Sequence, residues 1–252
     1  MTNATTTSPA RLEPELRGQT VVVIGGSSGI GLETARRARA QGAEVILTGR
    51  SRERLEQPAR EVGALRTEAF DATDPDALTR FFNSLRAPID HVMVTAGDPP
   101  YGSLLEASPQ EARRLLIGRL VLPLDVARAS LGKLRPLGSL IFMGSTGHRR
   151  PRLGEGIIST VSAATATLIP NLALELAPVR VNRVAPGFVD TRLSASLLGD
   201  RLDARREELR ATLPIGRVVG PGDVAALAVH LMINTAVTGA TYDIDGGQQF
   251  VE

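Results

Sequence analysis

The chain has 252 residues, room for one large α/β domain with a sizeable core, and its formal net charge of +2 with 3% aromatic residues argues against nucleic-acid binding, which needs a basic stripe and stacking partners. It has no cysteine, which excludes disulfides, thiolate chemistry and cysteine-zinc sites. No apolar signal core opens it, and its most apolar stretch, Leu115 to Val126, is interrupted by Arg119 and Asp125, so neither secretion nor a membrane span is expected and a cytoplasmic location is the default.

Residues 1–17 are polar and Thr-rich and read as a loose tail; 18–252 read as one domain with no dividing linker. Val21 to Ile24 is an apolar β-branched run and predicts a strand, followed by a helix over Ile30 to Gln41. Val45 to Thr48 predicts a second strand, and Leu65 to Phe70 a third. Asp74-Pro75 starts a helix, with Asp as cap and Pro in the first turn. His91 to Thr95 and Ser139 to Met143 predict the next strands. Leu168 to Leu176 reads as helix, Val179 to Val184 as strand, Val224 to Met232 as helix and Thr241 to Ile244 as the last strand. This alternation predicts an α/β fold, a doubly wound parallel sheet of the Rossmann type in a single domain.

The segment Gly25-Gly26-Ser27-Ser28-Gly29-Ile30-Gly31 follows the first strand and opens a helix. Glycines there allow a sharp turn and close approach of a pyrophosphate, to which the helix N-terminus offers amide donors and a positive dipole. A plain glycine-rich turn is the bland alternative, and the strand–turn–helix context weighs against it.

The spacing G-x-x-x-G-x-G resembles that of the short-chain dehydrogenase/reductase family, and the resemblance runs from about Gln19 to Val251. Phe70-Asp71-Ala72-Thr73-Asp74 is similar to the segment whose carboxylate contacts adenine in that family. Thr95-Ala96-Gly97 is similar to the end of its Asn-Asn-Ala-Gly turn, with Val94 and Thr95 in the Asn places. Arg180-Val181-Asn182 and Pro186-Gly187-Phe188-Val189-Asp190-Thr191 resemble the nicotinamide-lining segment, and Thr238-Gly239 with Asp243-Ile244-Asp245-Gly246-Gly247 resembles the C-terminal signature. The resemblance implies a nicotinamide cofactor held by Gly25, Ser27, Ser28, Gly29, Ile30, Gly31, Asp71, Ala72, Ala96, Gly97, Pro186, Gly187, Val189 and Thr191. It also implies a symmetric homo-oligomer, tetramer or dimer, meeting through the Leu115 to Val126 helix and the Thr241 to Ile244 strand.

The form of the cofactor follows from charge. NAD sites place a carboxylate at the end of the second strand to hold the ribose hydroxyls. Here Gly49 stands there, followed by Arg50 with Arg52 nearby, and a guanidinium pairs bidentately with a 2′-phosphate. NADP(H) is therefore expected, with Arg50 among its contacts.

The family's usual chemistry uses Ser, Tyr and Lys, with an Asn upstream. Ser145 matches the serine. Counting back from Ala173-Leu174-Glu175-Leu176-Ala177-Pro178 puts Ile158 at the Tyr place and Ser162 at the Lys place, and Arg119 stands at the Asn place. The only tyrosines are Tyr101 and Tyr242 and the only lysine is Lys133, so no Tyr-x-x-x-Lys exists anywhere in the chain. Isoleucine cannot transfer a proton. Candidate replacements are Arg119, to stabilise an oxyanion or anchor an anion, and His148, which titrates near neutrality. Glu155, Asp98 and Tyr101 are further polar groups near the expected pocket, and Arg149, Arg150 and Arg152 cluster beside His148 as candidates for recognising a carboxylate or phosphate. Each of these has a bland alternative as a solvated or salt-bridged surface residue. No metal-ligand cluster stands out. The expected function is an NADP(H)-dependent oxidoreductase acting on a carbonyl or imine small-molecule substrate with a non-standard proton donor. The rivals are a non-redox cyclase or isomerase, and a cofactor-binding sensor or scaffold without turnover.

Overall fold

A computed structural model of the chain describes residues 15–86, 88–97, 105–106, 108–150 and 152–251. The strands are β1 (Thr20–Ile24), β2 (Glu44–Gly49), β3 (Arg66–Ala69), β4 (Ile89–Val94), β5 (Leu134–Met143), β6 (Arg180–Pro186) and β7 (Thr241–Ile244). All are parallel and form one sheet in the order β3-β2-β1-β4-β5-β6-β7. Around it lie α1 (Gly29–Ala40), α2 (Arg52–Val62), α3 (Pro75–Asn83), α4 (Pro109–Ala129), α5 (Gly156–Glu175), α6 (Arg192–Leu198), α7 (Leu202–Thr212), α8 (Pro221–Ile233) and α9 (Gln248–Val251). The strand order reverses between β1 and β4, which opens a crevice beyond their carboxyl ends.

Alternation along the central strand assigns the two faces. Val21 and Val23 of β1 join α1 and α8 side chains in one core, whereas Val22 and Ile24 join α3, α4 and α5 in the other. All four are at most 1% exposed, and each contributes about 1.5–3 kcal/mol of burial. Helices on both faces of a parallel sheet are the doubly wound arrangement expected. At the start of α3, Asp74 Oδ1 accepts from the amides of Asp76 (2.9 Å) and Ala77 (3.1 Å), and Pro75 occupies the first turn.

Three expectations need correction. Helix α5 begins at Gly156, not near Leu168: the run Ile157-Ile158-Ser159-Thr160-Val161 is rich in β-branched residues, which read poorly as helix, but Ile157 and Val161 are buried, and that packing outweighs weak propensity. By length and composition α5 also suffices to cross a membrane, contrary to the expectation that no stretch does; here its buried face packs in the core, with Ile169 and Leu172 against the sheet. Finally, the packed chain starts by Glu15: Leu16 is fully buried and its amide donates to Gln41 O at 3.0 Å. Residues 1–14 of the expected tail lie outside the described residues.

Strand β6 carries two buried arginines with contrasting surroundings. Arg180 donates to five carbonyls, those of Leu137, Leu231, Met232, Asn234 and Val237, at 2.6–3.2 Å, and so ties off the C-terminus of α8. Arg183 has no such set and belongs to the site.

Candidate active site

The glycine-rich turn is built by close approach. Gly25 has φ +98°, and a Cβ there would lie 2.6 Å from Thr95 Oγ1. A Cβ at Gly31 would lie 2.2 Å from Gly25 O. Thr95 Oγ1 donates to Gly25 O (2.9 Å), and the amides of Thr95 and Ala96 donate to Ile24 O, so the β1 and β4 turns are locked together at the crevice. Helix α1 then points its N-terminus at the open side. The Ser28 side chain makes no capping hydrogen bond and the first turn holds no acid, so the orphan amides and the positive end of the helix dipole face the crevice. Ser27, Gly29 and Ile30 lie in the same turn, and the Ile30 side chain packs on the core beneath. An anionic diphosphate fits this cradle, which any side chain at Gly25 or Gly31 would fill.

Thr191 and Gly49 flank this cradle. Thr191 Cγ2 lies 3.7 Å from the Cβ position of Gly29, which brings the loop after β6 over the α1 N-terminus. That loop is held by a capping box between Thr191 and Ser194, by Phe188 N donating to Gln248 Oε1 (2.7 Å), and by the Val189–Val219 bridge. Gly187 is required there: a Cβ would lie 2.3 Å from Gln248 Oε1. Pro186 O accepts the Thr146 amide at 3.1 Å, joining this loop to the end of β5. On the other side, Gly49 ends β2 and Ser27 Oγ lies 3.7 Å from its Cβ position. Asp71 follows β3, and the Thr73 amide and hydroxyl, with help from the nearby Arg50, hold its carboxyl below the usual range. Ala72 is buried beside it.

Arg119, on α4, donates Nη2–H to Gly97 O at 2.6 Å and spreads its guanidinium 3.3–3.4 Å from the Cβ position of Gly97. It therefore covers the Thr95-Ala96-Gly97 turn. Asp98 and Tyr101 lie outside the described residues.

Ser145 ends β5 and lines a cleft of about 470 Å³ together with Gly187 and Phe188. Its Oγ accepts the Gly147 amide (3.0 Å), which leaves its own O–H for another partner. Arg150, Arg152, Glu155, Arg201 and Arg205 line the same cleft. His148 does not. Its Nδ1 sits 3.2 Å from both Ser145 O and Ser162 Oγ, turned towards the floor. Burial chiefly lowers its pKa; the bond to Ser145 O opposes this, Arg183 and Arg149 lower it further, and Asp243 opposes them. Arg149 is also drawn away from the cleft, to Asp243 Oδ2 at 2.6 Å. Ile158 and Ser162 lie on the first turns of α5, with Ser162 only 3% exposed.

Sequence reasoning missed Arg183. It is fully buried, donates to Ser162 Oγ and to Ser145 O (3.4 Å), and leaves Nε and Nη1 without partners. Burial pulls its pKa down to about 10; Asp243 opposes that, and Arg149 adds to it. The one available signal is an arginine between Asn182 and Val184 in an otherwise buried strand.

The chain matches the enoyl-(acyl carrier protein) reductase family over residues 24–249. It is 29% identical over 254 residues to the short-chain dehydrogenase/reductase ATR9 of Stachybotrys chlorohalonatus, covering 93% of this chain and 98% of that protein. It is 30% identical over 252 residues to the NADP-dependent (R)-specific alcohol dehydrogenase of Lentilactobacillus kefiri, covering 92% and 97%. A solved small-chain dehydrogenase in complex with NADPH is similar with a TM-score of 0.79 at 26% identity, over 92% of this chain and 99% of that one. With the sheet order, the locked glycine turn and end-to-end matches in hand, the chain belongs to the short-chain dehydrogenase/reductase family of oxidoreductases.

Proposed function

We propose that this protein is an NADP(H)-dependent oxidoreductase that reduces a carbonyl or imine and takes its proton from a group other than the family's tyrosine. The observation that carries the reading is the uncapped α1 N-terminus, closed in by Thr95 and Thr191 around glycines that no larger residue can replace. Gly25, Ser27, Ser28, Gly29, Ile30 and Gly31 would hold the diphosphate. Asp71 and Ala72 would hold the adenine, Arg50 the 2′-phosphate, and Ala96, Gly97, Pro186, Gly187, Val189 and Thr191 the nicotinamide half. The bound cofactor supplies the hydride.

The chain's own residues then position and polarise. The Ser145 hydroxyl, with its oxygen satisfied by the Gly147 amide, donates to the substrate heteroatom. Arg119, anchored on Gly97 O, offers fixed positive charge beside the nicotinamide turn for an oxyanion or an anionic group. His148 does not line the cleft, and burial chiefly lowers its pKa, which weakens it as a proton donor. An imine suits such a site better than a ketone, since an iminium carries its proton before hydride arrives.

The test is NADPH binding by fluorescence, with NADPH oxidation over a panel of ketones and cyclic imines. Binding in the micromolar range with turnover of some panel member is expected; no NADPH binding refutes the reading. Ile158 and Ser162 favour a second reading, NADP(H) binding without redox turnover, as a sensor, scaffold, cyclase or isomerase. Tight binding with no oxidation across the panel would select it. We further propose a cytoplasmic homo-oligomer, tetramer or dimer, which light scattering checks. The β7 strand, hydrogen-bonded to β6 alone among the described residues, supports it.

A further inference from the structure

Three consecutive residues carry the loop after β6 to the α1 N-terminus, and each is held differently. Val189 is 8% exposed and bridges Val219. Asp190 donates its amide to Val219 O at 3.0 Å and gives both carboxylate oxygens to one guanidinium. Arg206 of α7 donates from Nε to Asp190 Oδ2 at 2.9 Å and from Nη2 to Oδ1 at 2.8 Å. Thr191 then stands with Cγ2 3.7 Å from the Cβ position of Gly29. Its backbone is extended, with φ −135° and ψ 171°, and side chains of neighbouring residues in extended chain point to opposite sides. Anchoring Asp190 outwards therefore sets Thr191 inwards, over the glycine turn.

The fork that holds Asp190 is itself held. Arg206 Nη1 donates to Asp203 Oδ1 at 2.9 Å, from the preceding turn of α7. The side chains of Arg206 and Asp190 are only 29% and 32% exposed. Isolated surface ion pairs contribute little, because screening and side-chain entropy offset a single bond, whereas a bidentate pair in a network keeps its geometry. Apolar packing does little of this work: α7 buries Leu209 alone, and α6, which joins it to the loop, buries no residue.

We infer that Arg206 is a positioning residue for the nicotinamide half of the cofactor, acting through Asp190 to hold Val189 and Thr191 in place. This rests on the NADP(H) reading above and deepens it. Arg206 is absent from the lining of the cleft that its neighbour Arg205 joins, so its effect runs through Asp190. Without the fork the loop samples other positions, and apparent affinity falls by the fraction of time it is correctly placed. The adenine half, assigned to the other side of the glycine turn, does not sense the change.

The test compares two ligands by calorimetry: NADPH, and 2′,5′-ADP, which keeps the adenine, its ribose and the 2′-phosphate but has no nicotinamide. Arg206→Met should weaken NADPH about fivefold or more and leave 2′,5′-ADP within about twofold of the parent. Asp190→Asn should show the same split, and the Arg206→Met/Asp190→Asn double variant should lose no more than about twofold beyond either single change. Arg206→Lys, a point charge that cannot fork, should fall between parent and Arg206→Met. If Arg206→Met does not fold, Arg206→Lys and Asp190→Asn decide by the same comparison. Unchanged NADPH affinity, equal losses for both ligands, or additive losses in the double variant overturn the inference. Loss of the NADP(H) reading looks different: the parent then binds neither ligand.

Discussion

Arg183 and Ser162 meet beneath the site. The guanidinium, fully buried on β6, donates to the Ser162 hydroxyl, which donates its own O–H to Ser145 O at 2.5 Å. The pair also accounts for Gly144, where a Cβ would lie 2.1 Å from Arg183 Nε. One long cation from the sheet thus fills space that a larger side chain at 144 or 162 would need. On the register that the resemblance implies, 162 is the lysine place, and here the small hydroxyl and the arginine are mutually accommodating.

Arg183→Met tests whether the charge serves stability or the site. An apolar side chain of similar volume removes the desolvation cost, and unfolding free energy is expected to hold or rise by about 1–3 kcal/mol. His148 loses one of the positive neighbours that hold it down, so its midpoint should move up towards the ordinary histidine value in an NMR titration. A strongly destabilised variant with an unmoved His148 would assign Arg183 a purely structural role.

Reinstalling the family's pair should fail unless Arg183 goes too. In Ile158→Tyr/Ser162→Lys an ammonium enters a position that is 3% exposed, beside a buried guanidinium. The double variant is expected to lose about 3 kcal/mol or more and to gain no ketone reduction. Adding Arg183→Ala should recover stability and let NADPH oxidation with simple ketones appear. A double variant as stable and active as the triple one would show that the two cations coexist.

Arg119→Ala should cost more activity than Ser145→Ala. Its charge-assisted bond to Gly97 O is 2.6 Å long, and the guanidinium covers the Thr95-Ala96-Gly97 turn, which is proposed to face the nicotinamide half. Against the best substrate found, kcat/KM is expected to fall about 10²–10³-fold, as for loss of an oxyanion donor, with a smaller fall for Ser145→Ala. The reverse order refutes the assignment.

Arg50→Ala should weaken NADPH binding by roughly 1–3 kcal/mol and leave NADH almost unchanged, because Gly49 offers the ribose no carboxylate and Arg50 is proposed to supply a charge-assisted bond to the 2′-phosphate. Fluorescence titration of both cofactors reads this directly, and equal affinities in the parent would contradict it.

His91 predicts acid sensitivity. It is 3% exposed, with Nε2 2.7 Å from Gln19 Oε1 and Nδ1 2.9 Å from Ser139 Oγ, so the neutral ring donates to the amide oxygen and accepts from the hydroxyl. Burial, with Arg180 adding, pushes its pKa down to about 3. The unfolded chain takes up the proton near pH 6.5 and the folded one does not. Its contribution is therefore complete above about pH 6.5 and is lost progressively as pH falls towards 3, by roughly 2 kcal/mol at about pH 5. Urea unfolding across that range should show a shallower slope for His91→Gln than for the parent.

The sequence by itself determined what local chemistry writes. Strand–turn–helix order, the glycines of the first turn and the Asp74-Pro75 start are legible because turns and caps depend on a few adjacent residues. The lack of any Tyr-x-x-x-Lys was legible from two tyrosines and one lysine. The tertiary structure alone decided where the charges go. In a parallel strand buried on both faces polarity does not alternate, so nothing local separates Arg180, which meets five carbonyls, from Arg183, which meets almost none. The same holds for Arg149 and Arg150, neighbours in sequence: one is held by Asp243 and the other lines the cleft, because Asp243, on β7, lies far along the chain.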